Sequence, residues 1–262
     1  MNSPASPRGI ILLCAGRGTR MRPLTDHVPK CLLRMGDRLV IDHLLDAILA
    51  RTEGEVVAVT GFAADRVRDH LADHHGSRVT TAHNDRFEAD VNILSVETGV
   101  SALRHPQQGY VVVETDLLLD TVAWDHVFAA AAGPDSFWAC KGYYSKELTG
   151  GIVHADEEGQ IDAVEYRPEY DANYDGWPKM VGVLGVAPAQ VSADRQFRQA
   201  AIADTVTQYY LMPWRRHLPD LPCKVLQMDD CFAQSFNTTD DFTDTCKHFL
   251  ALSAAARPME FS

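Results

Sequence analysis

The first apolar run of the chain, Ile10-Ile-Leu-Leu13, is continuous rather than alternating, and glycines bound it on both sides. Such a run, with no polar face, reads as a strand covered by protein on both sides. Similar short apolar runs predict strands over residues 9–14, 55–60, 78–82, 110–114, 137–141, 151–154, 180–186 and 224–227. Between the early runs the period changes. Residues 40–51 place Ile41, Leu44, Leu45 and Ile48 on one face at helical spacing. Residues 65–74 and 92–103 read the same way, and a helix over 124–132 follows the fourth strand. Helical patterns return over 193–211 and 240–256. Strand and helix in alternation predict an α/β fold: a mostly parallel, mixed central sheet with helices on both faces. The crowding of strands between 137 and 186 predicts a small added β layer, mixed or antiparallel.

Composition narrows the class. The chain has 262 residues, and 46% are hydrophobic, enough for a sizeable core. No apolar run approaches membrane-span length, so no membrane partner is expected. Residues 1–8 lack the apolar stretch of a signal peptide, and the six cysteines form no CxxC pair. Both observations predict a cytoplasmic protein with buried, reduced thiols. The net charge of −12 argues against a nucleic-acid partner. Yet Arg8, Arg17, Arg20, Arg22, Lys30, Arg34 and Arg38 all fall in the first 38 residues. Positive charge concentrated there, in an acidic molecule, suits a small anionic ligand.

The first strand runs into Ala15-Gly16-Arg-Gly18-Thr19-Arg20-Met-Arg-Pro-Leu-Thr25, followed by Pro29-Lys30-Cys-Leu-Leu33. Glycines let backbone N–H groups approach an anion, and the cations neutralise it, so this is a loop for a polyphosphate. It is not a Walker A motif, because no G-K-[ST] closes it, and it lacks the third glycine of a Rossmann fingerprint. The combination G-x-G-T-R-M-x-P-L-T with P-K-x-L-L resembles the signature of the nucleotidyltransferases that make sugar-nucleotides and CDP-alcohols. The resemblance is strong over residues 9–33 and looser to about residue 245. It implies a Rossmann-like nucleotidyltransferase fold in which Ala15, Gly16, Gly18, Thr19 and Arg20 wrap an NTP triphosphate. It also implies that Lys30 contacts phosphate, with Arg20 and Lys30 as the catalytic cations. A molybdenum-cofactor-type nucleotidyltransferase shares the opening logic, but the P-L-T and P-K elements fit it less well.

Val111-Val-Val-Glu114-Thr-Asp116 is an apolar strand that ends in two carboxylates on one face. Ligands sit at such strand ends, and a carboxylate there can hold Mg²⁺. The resemblance implies Asp116 as the metal ligand; Glu114 either serves the nucleotide site or solvates the strand end. In Ser235-Phe-Asn237-Thr-Thr-Asp-Asp241 the resemblance implies a second metal ligand, and Asn237 stands where relatives carry an acid. An amide oxygen can coordinate Mg²⁺. The same residues read as an N-cap from Asn237, Thr238 or Thr239, and Asp229-Asp230 is an alternative acidic pair.

Asn84 followed by Asn92-Ile-Leu-Ser95 is similar to the CDP-alcohol branch, which includes bacterial phosphocholine cytidylyltransferases. Asn92 and Ser95 either cap a helix or face the nucleotide. Glu165-Tyr-Arg167-Pro168 lies where many relatives carry an E-K-P segment that helps hold the acceptor phosphate. With Tyr174 and Trp177 it reads either as an acceptor site, caging an ammonium, or as an ordinary surface loop. The eleven histidines carry no H-E-x-x-H spacing, His74-His75 reads as solvated, and Cys14 carries no assigned chemistry.

The implied reaction is attack by an acceptor phosphate or phosphonate oxygen on the NTP α-phosphorus, with pyrophosphate leaving and Mg²⁺ as cofactor. The leading expectation is a cytidylyltransferase using CTP and a small phosphorylated alcohol or phosphonate. A sugar-1-phosphate nucleotidyltransferase making UDP-, dTDP- or GDP-sugars is the alternative, and a non-catalytic nucleotide-binding regulator is a third. One domain is expected over 9–253, its nucleotide half at 9–120 and its acceptor half at 121–253. Residues 1–8 are expected as a disordered leader and 254–262 as a tail. The oligomeric state stays open, a homodimer included.

Overall fold

The computed structural model describes residues 8–255. The expected leader and tail lie outside the described residues, except for Arg8 and for the last turn of the final helix. Arg8 is buried, and its guanidinium donates to the Gly133 carbonyl at 2.6 Å and the Asp135 carbonyl at 3.1 Å.

Nine strands form the main sheet: β1 (Gly9–Cys14), β2 (Val56–Thr60), β3 (Thr80–His83), β4 (Tyr110–Glu114), β5 (Ser136–Tyr143), β6 (Gly150–Ala155), β7 (Ile161–Arg167), β8 (Pro178–Val186) and β9 (Cys223–Gln227). Across the sheet the order is β7–β6–β8–β4–β1–β2–β3, with β5 beside β8 and β9 beside β5. Strands β1, β2, β3 and β4 are parallel, and β8 joins β4 antiparallel, which makes the sheet mixed. The crowded region predicted from sequence is the antiparallel set β5, β6, β7 and β8.

Among the described residues seven α-helices flank it: α1 (Val40–Leu49), α2 (Ala64–His75), α3 (Ile93–Ala102), α4 (Thr121–Ala132), α5 (Val191–Asp204), α6 (Met212–Arg216) and α7 (Thr239–Ala255). The continuous apolar runs are explained by the two faces. Ile10, Leu12, Ala58, Val111 and Val113 pack with Ile41, Leu44, Leu45 and Ile48 of α1. Ile11, Val57, Val59 and Val112 pack with Ile93, Val96 and Val100 of α3. Burial of each such valine, leucine or isoleucine contributes about 1.5–3 kcal/mol. Helix α3 lies so close that a Cβ on Gly99 would meet Ile11 Cγ2 at 2.3 Å.

The expected single helix over 193–211 ends early: α5 stops at Asp204, residues 205–211 form a loop, and the short helix α6 begins only at Met212. Thr205 is extended, and the Gln208 amide donates to the Ala201 and Thr205 carbonyls, both at 2.7 Å, which closes the end of α5. His75 is also not solvated: its side chain is 7% exposed and bonded to Asp42. The six cysteines are all free, and five are buried. Two pairings too short for a periodic pattern escaped the sequence: Arg34–Met35 with Arg38–Leu39, and Leu117–Leu119 with Ala233–Ser235. Among the described residues no helix is long and apolar enough to cross a membrane.

Candidate active site

The carboxyl ends of β1 and β4 lie side by side, with Leu13 paired to Glu114. The segments that leave them, 15–20 and 115–116, therefore meet at one edge of the parallel sheet. Gly18 takes a left-handed φ of +65°, and a Cβ there would meet Lys30 Cγ at 2.7 Å. Glycine is thus required at this position for conformation and for space. The Gly18 carbonyl accepts from Thr25 Oγ1 at 2.7 Å and from Met21 N at 2.9 Å. Fully buried Met21 anchors the turn Thr19–Met21. Gly16 has open space around it, so a side chain there would intrude on the cleft rather than on protein.

Lys30 and Cys31 start a second turn, Lys30–Leu32, and buried Cys31 pins it. Lys30 Nζ lies 2.7 Å from Asp116 Oδ2. Arg20 donates to Asn237 Oδ1 at 2.5 Å. Asn237 reaches the site because Phe236 N donates to the Asp116 carbonyl at 2.8 Å, extending the pairing of Leu117–Leu119 with Ala233–Ser235. The capping of α7 falls to its neighbours. Thr238 Oγ1 accepts from Asp241 N at 3.1 Å, and Asp241 accepts in return from Thr238 N at 3.0 Å. The Asn237 side chain is left free to face the cleft. Asp229 instead bonds Gly142, Tyr143 and Gln227, and Asp230 bonds His126.

The cleft measures about 680 Å³. Of the expected nucleotide residues, Ala15, Gly16, Gly18, Thr19, Arg20, Asn92, Ser95 and Glu114 line it, together with Lys30, Asp116 and Asn237. Asn84 is buried behind this wall and donates to Asp90 Oδ2 at 2.9 Å and Ser95 Oγ at 3.0 Å. Asp90, which the sequence left unmarked, caps α3 by accepting from Leu94 N at 3.0 Å and Ser95 N at 2.8 Å. Asn92 holds the N-cap position, but neither its side chain nor that of Ser95 accepts a capping bond. Asn92 Oδ1 accepts from Tyr210 N at 2.9 Å, and its amide faces Glu114 at 3.5 Å. Phe87, Val91 and Tyr209 also line the cleft, and no pattern in the sequence marks them, because apolar residues in loops carry no period.

Glu114 stands between charges of both signs. Burial first, then the negative charge of Asp116, push its carboxyl up to about 7, against the pull of Lys179 and Lys30. Burial lowers the Lys179 ammonium although Glu114 faces it. Gly182, with φ +87°, clears the way for Glu114, whose Oε2 would lie 2.9 Å from a Cβ there. No local pattern marks Lys179, which arrives from β8.

The expected acceptor residues are gathered elsewhere. Among the described residues lining the cleft, Glu165, Arg167, Tyr174 and Trp177 do not occur. Glu165 pairs with Arg167 and with Arg215, each at 3.0 Å. Arg167 lies 4.3 Å over the Tyr174 ring and donates to its hydroxyl. Trp177 packs edge-on against Tyr174. The aromatic face expected to cage an ammonium is occupied by the chain's own guanidinium. The link from β7 to the cleft runs instead through Tyr166, whose hydroxyl lies 2.8 Å from that of Tyr209.

The family described as the MobA-like NTP transferase domain matches residues 10–161. A curated relative, the N-acetylmuramate alpha-1-phosphate uridylyltransferase of Caulobacter vibrioides, is 29% identical over 137 residues, 51% of this chain and 54% of that protein. The 2-aminoethylphosphonate cytidylyltransferase of Lancefieldella rimae is 24% identical over 159 residues, 61% of each chain. The chain thus spans little more than half the length of these relatives. Among solved structures, the CTP:phosphocholine cytidylyltransferase from Streptococcus pneumoniae superimposes with a TM-score of 0.77 at 16% identity, covering 93% of this chain and 99% of that one. At that identity the likeness establishes the mixed α/β fold and nothing finer.

Proposed function

This chain belongs to the family of MobA-like NTP transferase domains, and from that premise we propose that it transfers CMP from CTP to a small acceptor bearing a phosphate or phosphonate. In the reaction an acceptor oxygen forms a bond to the α-phosphorus. The bond from that phosphorus to the bridging oxygen breaks, and its electron pair leaves with pyrophosphate. A phosphate monoester is largely ionised at neutral pH, so no protein base is needed. Positioning and charge neutralisation are what the protein must supply.

The observation that carries this reading is the pair of cation–oxygen contacts across the cleft, Lys30 to Asp116 and Arg20 to Asn237. Both cations stand beside the Gly18 turn, where a triphosphate would be gripped by backbone N–H groups. On entry of the nucleotide, phosphate oxygens exchange with Asp116 and Asn237 as partners of these cations. The two protein oxygens so released are hard donors on adjoining segments, a set that fits Mg²⁺. Bound by Asp116 and Asn237, that ion would supply further charge neutralisation at the phosphates. Lys30 and Arg20 stabilise charge on the α-phosphate and the departing pyrophosphate. Asn92 and Tyr209 flank the remaining space, where we place the base and acceptor.

Cytidylyl transfer to a phosphonate is supported by the Lancefieldella rimae relative. A second reading, uridylyl transfer to a sugar 1-phosphate, is favoured by the Caulobacter vibrioides relative. One assay separates them: pyrophosphate release with each NTP against phosphocholine, 2-aminoethylphosphonate and sugar 1-phosphates, with Mg²⁺ present. Release with CTP and a small phospho- or phosphono-alcohol supports the first reading. Release with UTP and a sugar 1-phosphate alone replaces it with the second. No release with any pair overturns both.

A further inference from the structure

We propose that Asp42, His70 and His75 bind one divalent transition-metal ion of the zinc class, outside the nucleotide cleft, and that the ion ties helix α1 to helix α2. Asp42 Oδ1 lies 2.7 Å from His70 Nε2 and 3.1 Å from His75 Nε2. The three donor atoms lie within 4.8 Å of one another. Two imidazoles and one carboxylate, with a fourth position left for water, make a set that zinc and its neighbours take readily. Magnesium and calcium prefer oxygen throughout.

The three side chains are already largely withdrawn from solvent, at 14%, 7% and 13% exposure for His70, His75 and Asp42. Little further desolvation accompanies binding, while the remaining exposure leaves an entry path. The donors are also oriented from behind. Leu39 N faces Asp42 Oδ2 at 3.4 Å. His74 stacks on His70 with ring centroids 4.2 Å apart, and its Nδ1 bonds the His70 carbonyl at 2.9 Å. The bond to the Asp42 carboxylate is a second contact of the kind that raises metal affinity, and the stacked His74 ring restricts rotation of His70. None of the three residues is among those lining the cleft.

The position gives the ion a mechanical role. Helix α1 follows the segment that carries Lys30, and Val40 N donates to the Leu33 carbonyl at 2.9 Å where the two join. Tying α1 to α2 therefore braces the base of the Lys30 turn. A second group of donors, His126, Asp230 and Cys231, is the internal control, because it contains sulfur and the proposed site does not.

The test uses the full chain, zinc and cobalt. After zinc loading and desalting, the wild type should retain one ion per chain. Cobalt should give the visible absorption of a four-coordinate site, and zinc should raise Tm. His75→Gln and Asp42→Asn should each weaken zinc binding more than about a hundredfold, beyond the loss typical of a second contact, and remove the Tm rise. His126→Ala should leave both intact. Should the ligand variants fail to fold, X-ray absorption of zinc-loaded wild type decides, and a shell containing two imidazoles and no sulfur is expected. A shell with sulfur or without two imidazoles, undiminished binding in the folded variants, or no retained zinc in the wild type would each overturn the proposal.

Discussion

Lys30 and Asp116 hold each other at 2.7 Å with only 13% and 19% of their side chains exposed. An ammonium so enclosed interacts with phosphate far more strongly than one in water. On the proposed mechanism Lys30→Ala lowers kcat by about 10²–10³-fold, the loss seen for one preorganised partner of developing charge. Thermal unfolding should move much less. Unchanged turnover in the variant would remove Lys30 from the chemistry. Glu55 illustrates a different use of a carboxylate. Burial alone would raise its pKa, but the Arg104 side chain and the N–H groups of His105 and Arg104 outweigh burial and hold it below the ordinary glutamate range. A depressed folded pKa contributes stability above the unfolded value, lost as pH falls through the folded one. Glu55→Gln should therefore lower stability by about 1 kcal/mol at pH 7. Denaturation curves of variant and wild type should converge in acid below the ordinary glutamate range, and a gap that stays constant with pH would refute the assignment.

Helices and strands here answer to packing before propensity. Gly99 in α3 is the sharpest case. On propensity alone, alanine should stabilise the helix by about 0.5–1 kcal/mol. With Ile11 Cγ2 only 2.3 Å from the added Cβ, and Val59 at 3.0 Å, overpacking of about 1–3 kcal/mol wins instead. Urea denaturation of Gly99→Ala should show a lower midpoint, and a higher one would mean that α3 stands further from β1. Capping follows the same lesson. The polar residues at the start of α3 announce a helix terminus, but Asp90 rather than Asn92 takes the free N–H groups. Asn92 is drawn off by Tyr210 N, a partner supplied by the far end of the chain. The pairing of Leu117–Leu119 with Ala233–Ser235 has three residues on each side, too short for any alternation to show. It nevertheless delivers Asn237 to Asp116.

At the scale of the whole molecule, the proposed site draws on segments from residue 15 to residue 237, so a bound nucleotide should lock the fold together. At a hundredfold excess over Kd an NTP adds about 2.7 kcal/mol of stability, or roughly 5–10 °C in Tm for a chain of this size. With Mg²⁺ present, CTP should give the largest rise in a thermal-shift series, and an equal response to all four NTPs would leave base choice outside this cleft. The sequence by itself determined the α/β class, the parallel core strands and the family, because continuous apolar runs and the Gly16–Lys30 stretch are local patterns. Phosphate-gripping turns need glycines and cations close together in the chain, so their signature survives in one dimension. Only the tertiary structure decided that Asn237 and not Asp229 or Asp230 stands by Asp116, that Lys179 faces Glu114, and that Arg167 covers Tyr174 away from the cleft. The contacts Lys30–Asp116 and Arg20–Asn237 join residues 86 and 217 positions apart. Such pairs form because the sheet brings strand ends together, and no periodicity or spacing records where a distant side chain will arrive.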